Sequence, residues 1–169
     1  MSRTYATSVE SSGGGTSDTV IVTGTIDDSN VTFTVPTVPN LLIINGLAYR
    51  GTGGAITWSY DVGGVITLSS PVGDGGTIFG VKSCTIFDLT GVIDDSNLDF
   101  TEPALIEPSY LIINGAAYVK LGGWITWTYS AGDISISSVV GDNGCIFGVT
   151  GVNFIFNLVL NNSLIIGTL

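Results

Sequence analysis

Gly24-Thr25-Ile26-Asp27-Asp28-Ser29-Asn30-Val31-Thr32-Phe33-Thr34 returns as Gly91-Val92-Ile93-Asp94-Asp95-Ser96-Asn97-Leu98-Asp99-Phe100-Thr101, with 8 of 11 positions identical. The copying continues along the chain. Leu42-Ile43-Ile44-Asn45-Gly46 returns as Leu111-Ile112-Ile113-Asn114-Gly115, Ile56-Thr57-Trp58 as Ile125-Thr126-Trp127, and Ile78-Phe79-Gly80-Val81 as Ile146-Phe147-Gly148-Val149. The offset drifts from 67 to 69 to 68, which places single-residue insertions at turns. Self-similarity at this period marks one small folding unit copied in tandem. Function is therefore sought in what two linked units can do, not in one composite active site.

Each unit reads as strands. Val31, Phe33 and Val35 alternate with Thr32 and Thr34; Ile66 and Leu68 alternate with Thr67 and Ser69. Period two puts apolar residues on one face and hydroxyls on the other. The second copy keeps the register through Ile125, Trp127, Tyr129, Ile134 and Ile136. Asn45-Gly46 and Asn114-Gly115 lie between apolar runs, the strongest short hairpin signal. No window holds helical periodicity over ten residues. The expected fold is all-β: two tandem small antiparallel β-sandwich or barrel modules of about six strands each. Val22-Thr23-Gly24, Leu89-Thr90-Gly91 and Val149-Thr150-Gly151 look like three starts of the unit, so a partial third unit is expected at the C-terminus. The boundaries read as a Gly/Ser-rich arm over 1–19, modules over 20–86 and 87–151, and C-terminal strands over 152–169.

Composition narrows the function classes. Charged residues make up 11% of the 169-residue chain and hydrophobic residues 44%. So few charges cannot coat a monomer, and neighbouring subunits are expected to cover some apolar surface. The net charge of −10 repels phosphate backbones and anionic membrane surfaces, so neither nucleic acid nor membrane is an expected partner. No apolar run reaches the ~20 residues of a membrane span. No secretory signal pattern stands at the N-terminus, where Arg3 is followed by polar residues. The apolar C-terminal stretch, with Phe154, Phe156, Leu158 and Leu160, is assigned to assembly. A homo-oligomer is expected, with the 1–18 arm and the 152–169 stretch contacting neighbours.

Little in the chain resembles a catalytic centre. It contains no histidine, which removes Ser-His-Asp and Cys-His catalysis and imidazole ligation. Catalytic and cofactor-binding residues are therefore expected to be none. Cys84 and Cys145 are not matched in the repeat and read as structural thiols. Asp27, Asp28, Asp94 and Asp95 cluster oxygens of the type that calcium takes, but turn residues bonding backbone N–H groups explain them better. Trp58, Tyr60, Trp127 and Tyr129 could form a sugar-stacking platform, although their identical placement in both copies favours core packing. Trp124 stands where the first copy has Ala55 and is a candidate glycan or partner contact.

The order of the elements is Gly-Thr-Ile-Asp-Asp-Ser-Asn-x-x-Phe, an apolar strand ending Ile-Asn-Gly, an aromatic strand, Ile-Thr-Leu, a Pro-x-Gly-Asp turn and a final Ile-Phe strand. It resembles a small β-module of tailed-bacteriophage virion proteins, tail fibres and accessory structural proteins above all. The matching positions are Gly24, Ile26, Asp27, Asn30, Phe33, Asn45, Gly46, Ile66, Thr67, Pro71, Gly73 and Asp74. Asp28 and Asp95 stand where that module has glycine, and Val139 occupies the proline position in the second copy. The resemblance covers about 24–149. It implies a structural, non-enzymatic virion component assembled in the host cytoplasm: a tail fibre or adsorption protein, or a capsid decoration (cement) protein. Its implied partners are other virion proteins and a host surface glycan. A carbohydrate-binding β-module is the alternative.

Overall fold

Alternation settles which residues face inward. Phe33 is 1% exposed between exposed Thr32 and Thr34, and Ile66 and Leu68 are buried on either side of exposed Thr67. The structure, a computed structural model, describes residues 19–121 and 124–151. Among these residues it has fourteen strands and no helix.

The first copy runs β1 (Thr19–Val20), β2 (Thr32–Thr34), β3 (Leu41–Ile44), β4 (Leu47–Tyr49), β5 (Trp58–Tyr60), β6 (Val65–Leu68) and β7 (Ile78–Val81). The second repeats it as β8 (Thr85–Asp88), β9 (Asp99–Thr101), β10 (Tyr110–Ile113), β11 (Ala116–Tyr118), β12 (Trp127–Ser130), β13 (Asp133–Ile136) and β14 (Ile146–Thr150). Each unit thus has seven strands rather than the expected six. The seventh is the opening strand, β1 or β8, which pairs with the last strand of its own unit. β8 begins at Thr85, ahead of the 86/87 point read from the sequence.

All pairings are antiparallel. Each unit is a sandwich of a three-stranded sheet (β2-β6-β5, or β9-β13-β12) on a four-stranded one (β1-β7-β3-β4, or β8-β14-β10-β11). Phe33, Leu42, Ile44, Ile66 and Leu68 pack between the first pair of sheets. Phe100, Leu111, Ile113, Trp127 and Ile134 pack between the second.

The four-stranded sheets have a second buried face. Leu41, Ile43, Ala48 and Val81 join Ile112, Phe147 and Val149 in a third core cluster, with Phe79 and Ala117 packed on it. Equivalent residues of the two units belong to it: Ile43 and Ile112, Ala48 and Ala117, Phe79 and Phe147, Val81 and Val149. Both units use the same face, which is the arrangement of an isologous dimer within one chain. At one side β4 meets β11, where Ala48 N–H donates to the Gly115 carbonyl at 2.7 Å. Arg50 pairs with Asp88 across this seam, and its guanidinium lies 5.1 Å from the centre of the Phe147 ring. Much of the apolar composition is thus consumed inside the chain, one unit covering the other.

Two sequence expectations need correction. Thr23 and Thr90 each bridge to Thr34 and Thr101 at the start of a unit. Thr150 instead ends β14, so Val149-Thr150 occupies the place of Val81-Lys82 rather than that of Val22-Thr23. The first change of offset is a two-residue insertion in the loop 102–109, not a single residue. The second change is one residue, where the β12–β13 hairpin turns through Ala131-Gly132 at φ +52° and +95° and the β5–β6 hairpin takes a longer loop. The 1–18 arm and the C-terminal strands, with Phe154, Phe156, Leu158 and Leu160, lie outside the described residues.

Candidate functional site

The acidic turns are built identically in the two units. Asp27 Oδ1 accepts from Ser29 N–H, Ser29 Oγ–H and Asn30 N–H at 2.8, 2.9 and 2.6 Å. Asp94 does the same with Ser96 and Asn97. The backbone bonds, Ser29 first and then Asn30, hold the Asp27 carboxyl below the usual carboxylate range, and Ser96 and Asn97 do so for Asp94. Asp28 Oδ1 reaches across to Asp74 N–H, and Asp95 Oδ1 to Asp142 N–H. One oxygen of each of the four aspartates is therefore committed to backbone N–H groups. Among the described residues no group of three or more Asp, Glu, Cys or His converges as a cation cage would need.

The hairpin asparagines act as clamps. Asn45 sits at φ +51° before Gly46 at φ +81°. Its Oδ1 accepts from Thr77 N–H at 2.8 Å and its Nδ2 donates to the Val72 carbonyl at 2.9 Å. Asn114 makes the same pair of bonds to Cys145 and Val140. Each Asn therefore makes its hairpin turn and pins the 72–77 or 140–145 turn to it.

The aromatic residues of β5 and β12 are not equally buried: Tyr60 is exposed and Tyr129 half-buried. Trp127 is 2% exposed, and its indole N–H donates to the Tyr118 carbonyl. Trp58 is half-buried against the first core and donates to the Tyr49 carbonyl. Trp127 is thus core and Trp58 packs partly against its own core, whereas Tyr60 at the end of β5 does not follow the core-packing expectation. A shallow depression beside Trp58 is lined by Thr52, Thr57, Ser59, Thr67 and Ser69.

Trp124 behaves differently. It is 81% exposed, in the segment joining β11 to β12, with Leu121 and Val119 also exposed. The equivalent segment of the first unit, Arg50–Ala55, is docked: Arg50 reaches Asp88 and Phe147, and a Cβ on Gly54 would stand 3.2 Å from Cys145 Sγ. The second unit leaves its apolar version outward. Lys120 bonds Glu107 at 2.6 Å and ties this segment to the inserted loop that carries exposed Leu105 and Ile106.

Sequence reasoning missed Glu102. It is 1% exposed, and its two carboxylate oxygens accept from Ala104 N–H at 3.0 Å and Ile106 N–H at 2.6 Å. The available signal was the repeat itself: an acid stands where the first copy has Val35, just before Pro103 and the insertion. Cys84 and Cys145 are buried free thiols. No family model matches the chain, and neither a curated protein nor a solved structure matches it.

Proposed function

We propose that the chain is a structural, non-enzymatic subunit of a bacteriophage particle, an accessory protein on the particle surface in the tail-adsorption apparatus or as capsid decoration. One observation carries this reading: what the two copies share is scaffold. Asp27 and Asp94 hold turns, Asn45 and Asn114 clamp hairpins, and Trp58 and Trp127 pack inward. Repetition has kept a fold, and a fold by itself assigns no chemistry. The segments 1–18 and 152–169 are assigned to contacts with neighbouring subunits. Mass spectrometry of purified particles is the test: the protein is expected at stoichiometric levels, and its absence from particles removes the reading.

A second reading, a carbohydrate-binding module, is favoured by exposed Trp124 rather than by the inward-facing Trp58 and Trp127. Glycan-array binding that is lost in Trp124→Ala, with the circular dichroism spectrum unchanged, would support it over the first.

A further inference from the structure

Three Asn-Gly pairs occur in the chain: Asn45-Gly46, Asn114-Gly115 and Asn143-Gly144. Such a pair is chemically reactive. With no side chain on the glycine, its backbone nitrogen reaches the asparagine side-chain carbonyl carbon and closes a five-membered imide. The fold treats the three pairs differently. Asn45 and Asn114 have clamped amides: each Oδ1 accepts a backbone N–H and each Nδ2 donates to a backbone carbonyl. Cyclisation there has to break both bonds and turn the amide out of a tight hairpin. Asn143 is exposed, and its side-chain amide has no hydrogen bond among the described residues. One main-chain bond opposes reaction in its turn, Gly144 N–H to the Gly141 carbonyl at 3.1 Å. Opening that bond frees the nucleophile, and the electrophile is free already.

The first unit has no such site. Asn143 stands where the first copy has Gly75, in Gly141-Asp142-Asn143-Gly144 against Gly73-Asp74-Gly75-Gly76. Gly75 lies at φ +72° and Asn143 at φ +60°. A left-handed position is enough to explain asparagine in place of glycine, but the reactivity of an unbonded amide before glycine comes with it. Gly144 is also closely packed: a Cβ there would stand 2.6 Å from Val140 Cγ1 and 2.7 Å from Asn114 Oδ1. The next residue, Cys145, donates its N–H to that same Oδ1 at 2.9 Å. The reactive turn and the Asn114 clamp therefore share atoms.

We propose that Asn143-Gly144 is a site of spontaneous covalent modification, selected over the other two pairs by the fold. The Gly144 nitrogen loses its proton to solvent base and attacks Asn143 Cγ. The Cγ–Nδ2 bond breaks, ammonia leaves, and a succinimide remains. Water then adds to one of the two imide carbonyls. One opening leaves aspartate; the other leaves isoaspartate, in which the main chain runs through the former side chain. Both products add one negative charge. Isoaspartate also inserts one carbon into the turn, which displaces Gly144 and Cys145 and loosens the hold of Asn114. The second unit thereby carries a chemical clock that the first lacks.

Ageing of the full chain in mildly alkaline buffer tests this, read by peptide mapping that separates aspartate from isoaspartate. Asn143 is expected to convert roughly tenfold or more faster than Asn45 or Asn114, the weight of one to two net hydrogen bonds. In urea, where the three pairs share one chemistry, the rates should converge. Hydroxylamine present during ageing is expected to cleave the chain after residue 143 through the imide. Asn143→Gly, which restores the residue of the first unit, should abolish that cleavage. The aged parent should melt below the fresh parent, whereas Asn143→Asp should not, because it adds the charge without the extra main-chain carbon. Equal rates at the three sites in the folded chain overturn the proposal, as does an Asn143 advantage that persists undiminished in urea. An aged chain rich in isoaspartate that melts with the fresh one overturns the link to the Asn114 clamp.

Discussion

Asn45 and Asn114 show how much one side chain can settle. Each takes a left-handed conformation that costs most residues ~1–2 kcal/mol and satisfies two backbone groups of a distant turn. Asn45→Ala is expected to cost about 2–4 kcal/mol, the sum of the backbone strain and two hydrogen bonds. Asn45→Gly loses only the bonds and should fall about midway; urea denaturation of both variants separates the two contributions. Asp27 and Asp94 carry an acid-sensitive contribution. Their folded pKa values lie below the unfolded ones. The stability they add is therefore complete above the unfolded value near pH 4 and lost as pH falls through the folded one. Urea midpoints between pH 7 and pH 2 should show a shallower acid limb in the Asp27→Asn, Asp94→Asn double variant than in the parent. An equally steep limb would assign acid loss to other carboxylates. Gly24 and Gly91 belong to this scale too: a Cβ on either would stand 2.5 Å from the Phe33 or Phe100 ring, so these glycines are repeated for close approach.

At the scale of elements, the two copies differ where the offset drifts. The inserted loop 102–109 is organised by Glu102, whose carboxylate takes two backbone N–H groups that the shorter first-copy loop does not present. Glu102→Gln turns an amide NH₂ towards one of those donors. A cost of about 1–3 kcal/mol is expected, as for other buried donors left without an acceptor. Thermal denaturation should show it, and an unchanged midpoint would mean that the loop re-forms around the amide. Each hairpin carries its own turn chemistry: Asn-Gly for β3–β4 and β10–β11, Ala131-Gly132 for β12–β13. Register is thereby fixed locally, before sheets meet.

For the whole molecule, the seam decides behaviour. Leu41, Ile43 and Ile112 are 2% exposed or less, yet they belong to the faces that each unit turns to the other. Neither unit can be separated without baring that surface, so residues 19–151 are expected to unfold as one cooperative block. Calorimetry should give one transition, with calorimetric and van't Hoff enthalpies equal. Ile112→Ala should cost about 2–5 kcal/mol, as in other large-to-small core changes, and lower that single transition as a whole. Two resolved transitions in the parent would show that the seam is weaker than its burial implies. Arg50→Ala tests the rim of the same seam. Asp88 is largely exposed, so a loss of about 1 kcal/mol or less, reduced by salt, is expected from the ion pair and ring contact together.

The sequence by itself determined the class, the repeat and most of the local geometry. Alternation named Phe33, Ile66, Leu68, Ile134 and Ile136 as inward residues, and Asn-Gly named two hairpins, because period two and turn chemistry are local properties of the chain. It also gave the acidic turns as turns, since an Asp followed by Ser and Asn bonds its own backbone. Tertiary structure decided the rest. Leu41–Ile44 does not alternate, and only the packing of the two units explains why: one set of side chains faces its own sandwich and the other faces the sister unit. The same packing covers much of the apolar surface. Glu102 was illegible because burial of a carboxylate depends on where a loop folds back. The place of Thr150 in β14 was illegible because Val-Thr-Gly reads alike at a strand's end and at a unit's start, and only strand pairing distinguishes the two.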